Sequence, residues 1–187
     1  MVLGIILSAI NRRRKKKFHK IGEDVKIPLV IRFSGYERIS VGGGTFLDSG
    51  SWIAAQPLTG EKSCSLIIGD ECSIGRNAHI FATSSVVIEN CVLIAERVYI
   101  SDNLHGYENI DIPIIKQAII QKRPTRIGEG SWLGENVCVI GASVGKHCVI
   151  GANSVVTHDI PDYCVAVGAP ARVIKRYSFE KGEWESV

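Results

Sequence analysis

The stretch IGEGSWLGENVCVIGASVGKHCVIGANSVV, residues 127–156, decides the fold. Aliphatic residues stand at 127, 133 and 139, and again at 144, 150 and 156. Glycine directly follows four of these six, and small residues such as Ser131, Cys148 and Ser154 stand four places on. A period of six matches neither the 3.6 of a helix nor the 2 of an alternating strand. It matches a triangular coil in which each six-residue unit makes one flat side and one corner. The aliphatic residue points inward and stacks on its equivalents in the coils above and below.

The same spacing runs outward through 41, 47, 53, then 68, 74, 80, then 88, 94, 100, with a weaker start at Ile21 and Ile27. About five turns are visible. The predicted class is therefore all-β, a parallel β-helix over 21–176, with strand hydrogen bonds running between coils. The glycine of each unit is expected to supply the turn conformation. The small residue fits the crowded inner corner, where Cys72 and Cys148 read as structural cysteines.

The repeat breaks in four places. QPLTGEKSCS intrudes at 56–65, the spacing slips by two between Ile80 and Ile88, a long loop fills 101–126, and one residue is missing between Val139 and Val144. Long loops in a compact repeat are the usual carriers of function.

Composition bounds the rest. The 187 residues suffice for one domain with a sizeable core. Nineteen glycines and only 7% aromatic residues suit short strands joined by tight turns. Seven of the 22 basic residues lie in 1–20, leaving 15 basic against 19 acidic residues in 21–187. The body is mildly acidic and one basic run makes the total positive. Six scattered cysteines without a CxxC pair argue against a zinc ribbon or a redox motif and suit a cytoplasmic chain with reduced thiols.

Residues 1–20, MVLGIILSAI followed by NRRRKKKFHK, form a separate segment with a short helix expected. Ten apolar residues are too few to span a bilayer. Three readings stand: a peripheral anchor at the inner face of a membrane, a helix packed on the assembly, or a nucleic-acid patch. The acidic body speaks against the third, so no nucleic-acid partner is expected. Residues 177–187 read as a tail.

Among five histidines, His79 and His147 lie within repeats, where a solvated or corner side chain is the plain reading. His105 differs: it stands in SDNLHGY, just past the point where the repeat breaks. An imidazole there can take a proton from a hydroxyl near neutral pH. Asp102, three residues earlier, is read as orienting that imidazole, contacting an acceptor, or simply forming a turn.

Three stretches carry a family resemblance: VYISDNLHGYEN (98–109), the run from Ile127 to Pro161, and AVGAPARVIKR (166–176). With them the chain resembles the hexapeptide-repeat acetyltransferases, in the branch of maltose, galactoside and capsular or exopolysaccharide O-acetyltransferases. The resemblance implies a left-handed coil, an exception to the right-handed crossover rule. It implies a homotrimer with active sites between subunits, acetyl-CoA as co-substrate, no metal, and a saccharide acceptor in surface polysaccharide synthesis. The family's catalytic histidine falls on His105, acting as general base, with backbone N–H groups of the coil receiving the oxyanion. Trp132, Gly141, Ala142, Ala152 and Thr157 would line the path of the coenzyme. Arg172, Lys175 and Arg176 would meet its phosphates. Where relatives carry a second histidine this chain has Asn103, and where they carry lysine after the threonine it has His158. The alternatives are a small acceptor, whether amino sugar, serine or antibiotic, and a non-catalytic scaffold.

Overall fold

The computed structural model describes residues 13–187. The expected N-terminal helix falls largely on 1–12, outside the described residues; 13–15 are helical. From Lys20 onward the chain winds as a left-handed parallel β-helix with three sheets. The first sheet stacks Lys20–Ile21, Ile39–Val41, Ser65–Ile68, Ser85–Ile88 and Thr125–Ile127. The second runs from Phe46–Leu47 through Ser73–Ile74, Leu93–Ile94, Trp132–Leu133 and Val149–Ile150 to Cys164–Val167. The third runs from Arg32–Ser34 through Trp52–Ala55, His79–Ala82, Tyr99–Ser101 and Cys138–Ile140 to Val155–Val156.

Register follows the hexad. Val41, Ile68, Ile88 and Ile127 pair in one column and Ile53, Ile80, Ile100 and Val139 in another. These side chains are fully buried. The first coil is real despite its weak signal: Lys20 and Ile21 pair with Ser40 and Val41, and Phe33 pairs with Ile53. The missing residue at 139–144 leaves the stack intact, because Val144 still bridges Ile127 on one side and Ile160 on the other.

The structure corrects the expected role of glycine. Position four of the hexad, not position two, carries the turn. Among the described residues, all nine non-glycine residues with positive φ, from Asp24 at 53° to Tyr163 at 55°, occupy that fourth place, as do Gly44, Gly50 and Gly130. Glycine at position two is there because the neighbouring coil's backbone lies against it. A Cβ on Gly128 would sit 2.5 Å from the carbonyl carbon of Gly145, and one on Gly69 2.7 Å from the amide nitrogen of Asn90. The small fifth residue is buried as expected, with Thr45, Ser51, Cys72, Ser131, Cys148 and Ser154 all inside.

Three further differences shape the surface. Residues 101–126 are not a plain loop. Asn103–His105 pairs antiparallel with Ile119–Gln121, making a two-stranded arm. The tail is not a tail either: Arg172–Ser178 and Glu183–Ser186 form a hairpin that adds antiparallel to Cys164–Val167. It covers an edge that would otherwise offer unpaired backbone. His79, expected at a corner or in solvent, is half-buried between Trp52, stacked at 4.5 Å, and Tyr99, edge-on at 5.1 Å.

Candidate functional site

The arm leaves the β-helix at the corner between the third and first sheets, and its root is held by one carboxylate. Asp102 is fully buried. Its Oδ1 accepts from the Thr83 amide at 2.8 Å, the Thr83 hydroxyl at 2.9 Å and the Asn103 amide group at 3.1 Å. Its Oδ2 accepts from the Ser84 and Ser85 amides, each at 2.7 Å. Burial alone would raise its pKa, but the donated bonds from Thr83, Asn103, Ser84 and Ser85 outweigh it and hold the carboxyl below its usual value. Four of these five donors come from the corner where the hexad spacing slips by two, so the slip is the cradle of this carboxylate.

The return strand is fastened to the same point. Gln121 donates from Nε2 to the Asp102 carbonyl at 2.8 Å, and its Oε1 accepts from the Thr59 hydroxyl at 2.6 Å. The 56–65 excursion, the slip and the arm thus meet at one polar knot. Farther along, the Arg123 guanidinium forks onto Asp159 at 3.0 and 3.1 Å, and Asp159 also accepts from the Ser143 amide at 2.8 Å. The arm is therefore braced on the C-terminal coils as well as at its root.

His105 ends the outgoing strand opposite Ile119 and is exposed. The next residue must be small: a Cβ on Gly106 would lie 2.7 Å from the Ala118 carbonyl oxygen, and the Gly106 amide donates to that oxygen at 2.8 Å. The imidazole makes no hydrogen bond to any described residue. The arrangement presents a free, exposed base on a backbone fixed at both ends.

Asp102 and His105 are not brought together. Every Asp102 oxygen is taken up in the corner, which rules out the reading that Asp102 orients the imidazole within this chain. The suggested coenzyme residues divide. Trp132 (48% exposed) stands on the outward side of the second sheet. Ala152 and Thr157 are exposed, with the Thr157 hydroxyl 3.0 Å from His158 Nδ1. Gly141 and Ala142 are buried, and the Ala142 methyl is wholly inside, so neither offers a side chain at the surface. Gly141 has φ 56° and lies under the arm, where a Cβ would be 2.5 Å from Lys122 Cβ. Arg172, Lys175 and Arg176 are exposed on the first strand of the hairpin. Among the described residues no group of His, Cys, Asp or Glu is placed to hold a metal ion. All six cysteines are free, and burial pushes the Cys148 thiol up to about 11, leaving it inert as a nucleophile.

The sequence missed the arm's bracing and the outward aromatic strip of Trp52, His79, Phe81 and Tyr99, over which the Arg32 guanidinium lies 4.1 Å from the Trp52 ring. Its one visible signal was aromatic residues recurring in the outward hexad place.

The model of the hexapeptide repeat of succinyl-transferase matches residues 65–100 and 124–158. An acetyltransferase of Mycobacterium tuberculosis is 42% identical over 123 residues, which are 65% of this chain and 40% of that protein. A protein of Escherichia coli named as a lipopolysaccharide biosynthesis O-acetyltransferase is 36% identical over 127 residues, 64% of this chain and 65% of its own. The chain thus spans less than two thirds of either relative. A mutant of an N-acyltransferase from Bacillus cereus, solved with dTDP and coenzyme A, superposes with a TM-score of 0.74 at 17% identity, over 91% of this chain and 90% of the other. A maltose O-acetyltransferase from Clostridium difficile superposes at 0.56 with 27% identity, over 89% and 73%.

Proposed function

Because this chain belongs to the hexapeptide-repeat family, we propose that it transfers an acetyl group from acetyl-CoA to a hydroxyl of a saccharide, with His105 as general base. The observation that carries the reading is His105 itself, exposed and unpartnered on a doubly braced arm. His105 takes the proton from the acceptor hydroxyl as that oxygen attacks the thioester carbonyl. The imidazolium then returns the proton to the departing coenzyme thiolate, so the base is regenerated and no acyl-enzyme is needed.

The acceptor class is supported by the lipopolysaccharide and maltose O-acetyltransferase names of two similar proteins. A bound coenzyme A in the Bacillus cereus structure supports an acyl-CoA donor. Trp132, Ala152, Thr157, Arg172 and Lys175 remain the proposed coenzyme contacts; each is exposed. Gly141 and Ala142 would contribute through backbone alone. We further propose a homotrimer, a role in surface polysaccharide synthesis, and a cytoplasmic setting, where the donor is made and free thiols persist.

His105→Ala tests the base. Turnover should fall by about 10²- to 10⁴-fold with a panel of saccharide acceptors, while acetyl-CoA still protects the variant from heat. Full activity in the variant sinks the assignment. Loss of acetyl-CoA protection in the parent sinks the enzyme class.

A further inference from the structure

The described part of the basic run closes one end of the β-helix. Phe18 is buried, edge-on to Phe33 and Tyr36 at 5.0 Å each. The Arg14 guanidinium donates to the carbonyl oxygens of Pro28, Leu29 and Ile31 at 3.0, 3.2 and 3.0 Å. These contacts tie residues 14–18 to the first coil and fix where the neighbouring cations lie. Arg13, Lys16, Lys17 and Lys20 are exposed, and Lys15 is partly so. None of them forms a salt bridge among the described residues.

Nothing nearby balances this charge. Residues 13–20 hold six Lys or Arg and no acid, while the first coil, 21–38, holds three of each sign. Of its acids, Glu37 is already paired with Arg38. Beside the cations, the segment that Arg14 grips exposes Leu29 by 44% and Val30 by 72%. The rings at this end are already packed: Phe18 is buried, Tyr36 lies against Phe18 and Phe33 with the Lys17 ammonium 5.6 Å from its centroid, and Trp52 is stacked on His79 with Arg32 4.1 Å from its centroid.

We propose that this end of the β-helix docks on an anionic lipid bilayer. Arg13, Lys15, Lys16, Lys17 and Lys20 face the headgroups, and Leu29 and Val30 enter the interfacial zone. Cations beside short exposed aliphatic side chains suit a lipid surface, which rewards both. A single-stranded nucleic acid rewards the cations and stacking rings, and a duplex rewards the cations alone, with no use for exposed Leu29 and Val30. The inference stands apart from acyl transfer and from the base assigned to His105.

The test is sedimentation of the full chain with vesicles of phosphatidylcholine, alone or with about 30% phosphatidylglycerol. Binding should require the anionic lipid and should be released between about 0.1 M and about 0.5 M salt. The triple variant R13Q/K16Q/K20Q removes three exposed charges outside the packing contacts. At roughly fivefold per charge, it should bind on the order of 100-fold more weakly. Val30→Glu should weaken binding on its own. Equal binding to neutral vesicles, unchanged binding of the triple variant, or preference of the parent for a short DNA duplex over the anionic vesicles would each overturn the proposal.

Discussion

Asp102 and His105 are three residues apart in opposite surroundings: the first is fully buried among five donors, the second is exposed with none. That contrast assigns them different work. Asp102→Asn replaces an acceptor with a group whose amide hydrogens face amide hydrogens of the corner. It should cost roughly 3 kcal/mol and lower Tm by roughly 6–12 °C, with donor binding retained if the arm is re-formed at low temperature. The pH dependence has a definite sign. The folded carboxyl titrates below its unfolded value, so its contribution is fully present above about pH 4 and is lost as pH falls through the lower, folded value. Thermal melts between about pH 3 and pH 7 should fall more steeply for the parent than for Asp102→Asn; parallel curves would show that the charge is not what the corner binds. His105 was legible in the sequence because the repeat stops beside it. Asp102's role was not, because four of its five donors lie 17 to 19 residues upstream, in a corner visible only as a slip of two.

Within a coil, the hexad assigns each place a separate physical task. The first residue fills the core, the second lets the next backbone approach, the fourth turns through positive φ, and the fifth plugs the corner. The first and fifth tasks are legible in sequence because burial selects for character and size. The second and fourth are not separable by eye, since glycine serves close approach and positive φ alike. Gly128→Ala and Gly60→Ala separate them. Gly128 is flanked by the Gly145 and Lys146 backbone, which cannot move without breaking the Gly128 amide bond to the Val144 carbonyl at 2.8 Å. Gly60, in the 56–65 excursion rather than in a hexad, has φ 82° and nothing within 4 Å of an added Cβ, so it isolates the cost of conformation alone. Overpacking at Gly128 should cost about 1–3 kcal/mol, and strain at Gly60 about 1 kcal/mol. Urea midpoints with unchanged slopes measure both; the reverse order would mean that conformation, not approach, selects the second-place glycine. The hairpin 172–186 escaped the sequence reading because it abandons the hexad. Its Tyr177 and Trp184 pair across two strands rather than between coils.

At the scale of the whole molecule the arm presents apolar side chains that no other described residue covers. Ile110 is 94% exposed, Ile115 86% and Tyr107 62%, although Gln117 holds the tip in shape through bonds to the Asn109 and Ile112 carbonyls at 2.8 Å. An ordered tip that leaves isoleucines in water gains only when another surface covers them, at about 1.5–3 kcal/mol for each side chain fully buried. A neighbouring copy in the proposed homotrimer would cover three such arms at once. The double substitution Ile110→Asp with Ile115→Asp should therefore weaken assembly while sparing the fold, since neither residue lies in the core. Sedimentation equilibrium should show the parent as a trimer at micromolar concentration and the variant shifted toward monomer, with far-UV circular dichroism unchanged. If active sites lie between subunits, acetyl transfer should fall in step with the trimer fraction and recover as protein concentration rises. A variant that stays trimeric would place the subunit contact elsewhere on the coils, and a parent that sediments as a monomer would remove the trimer from the proposal.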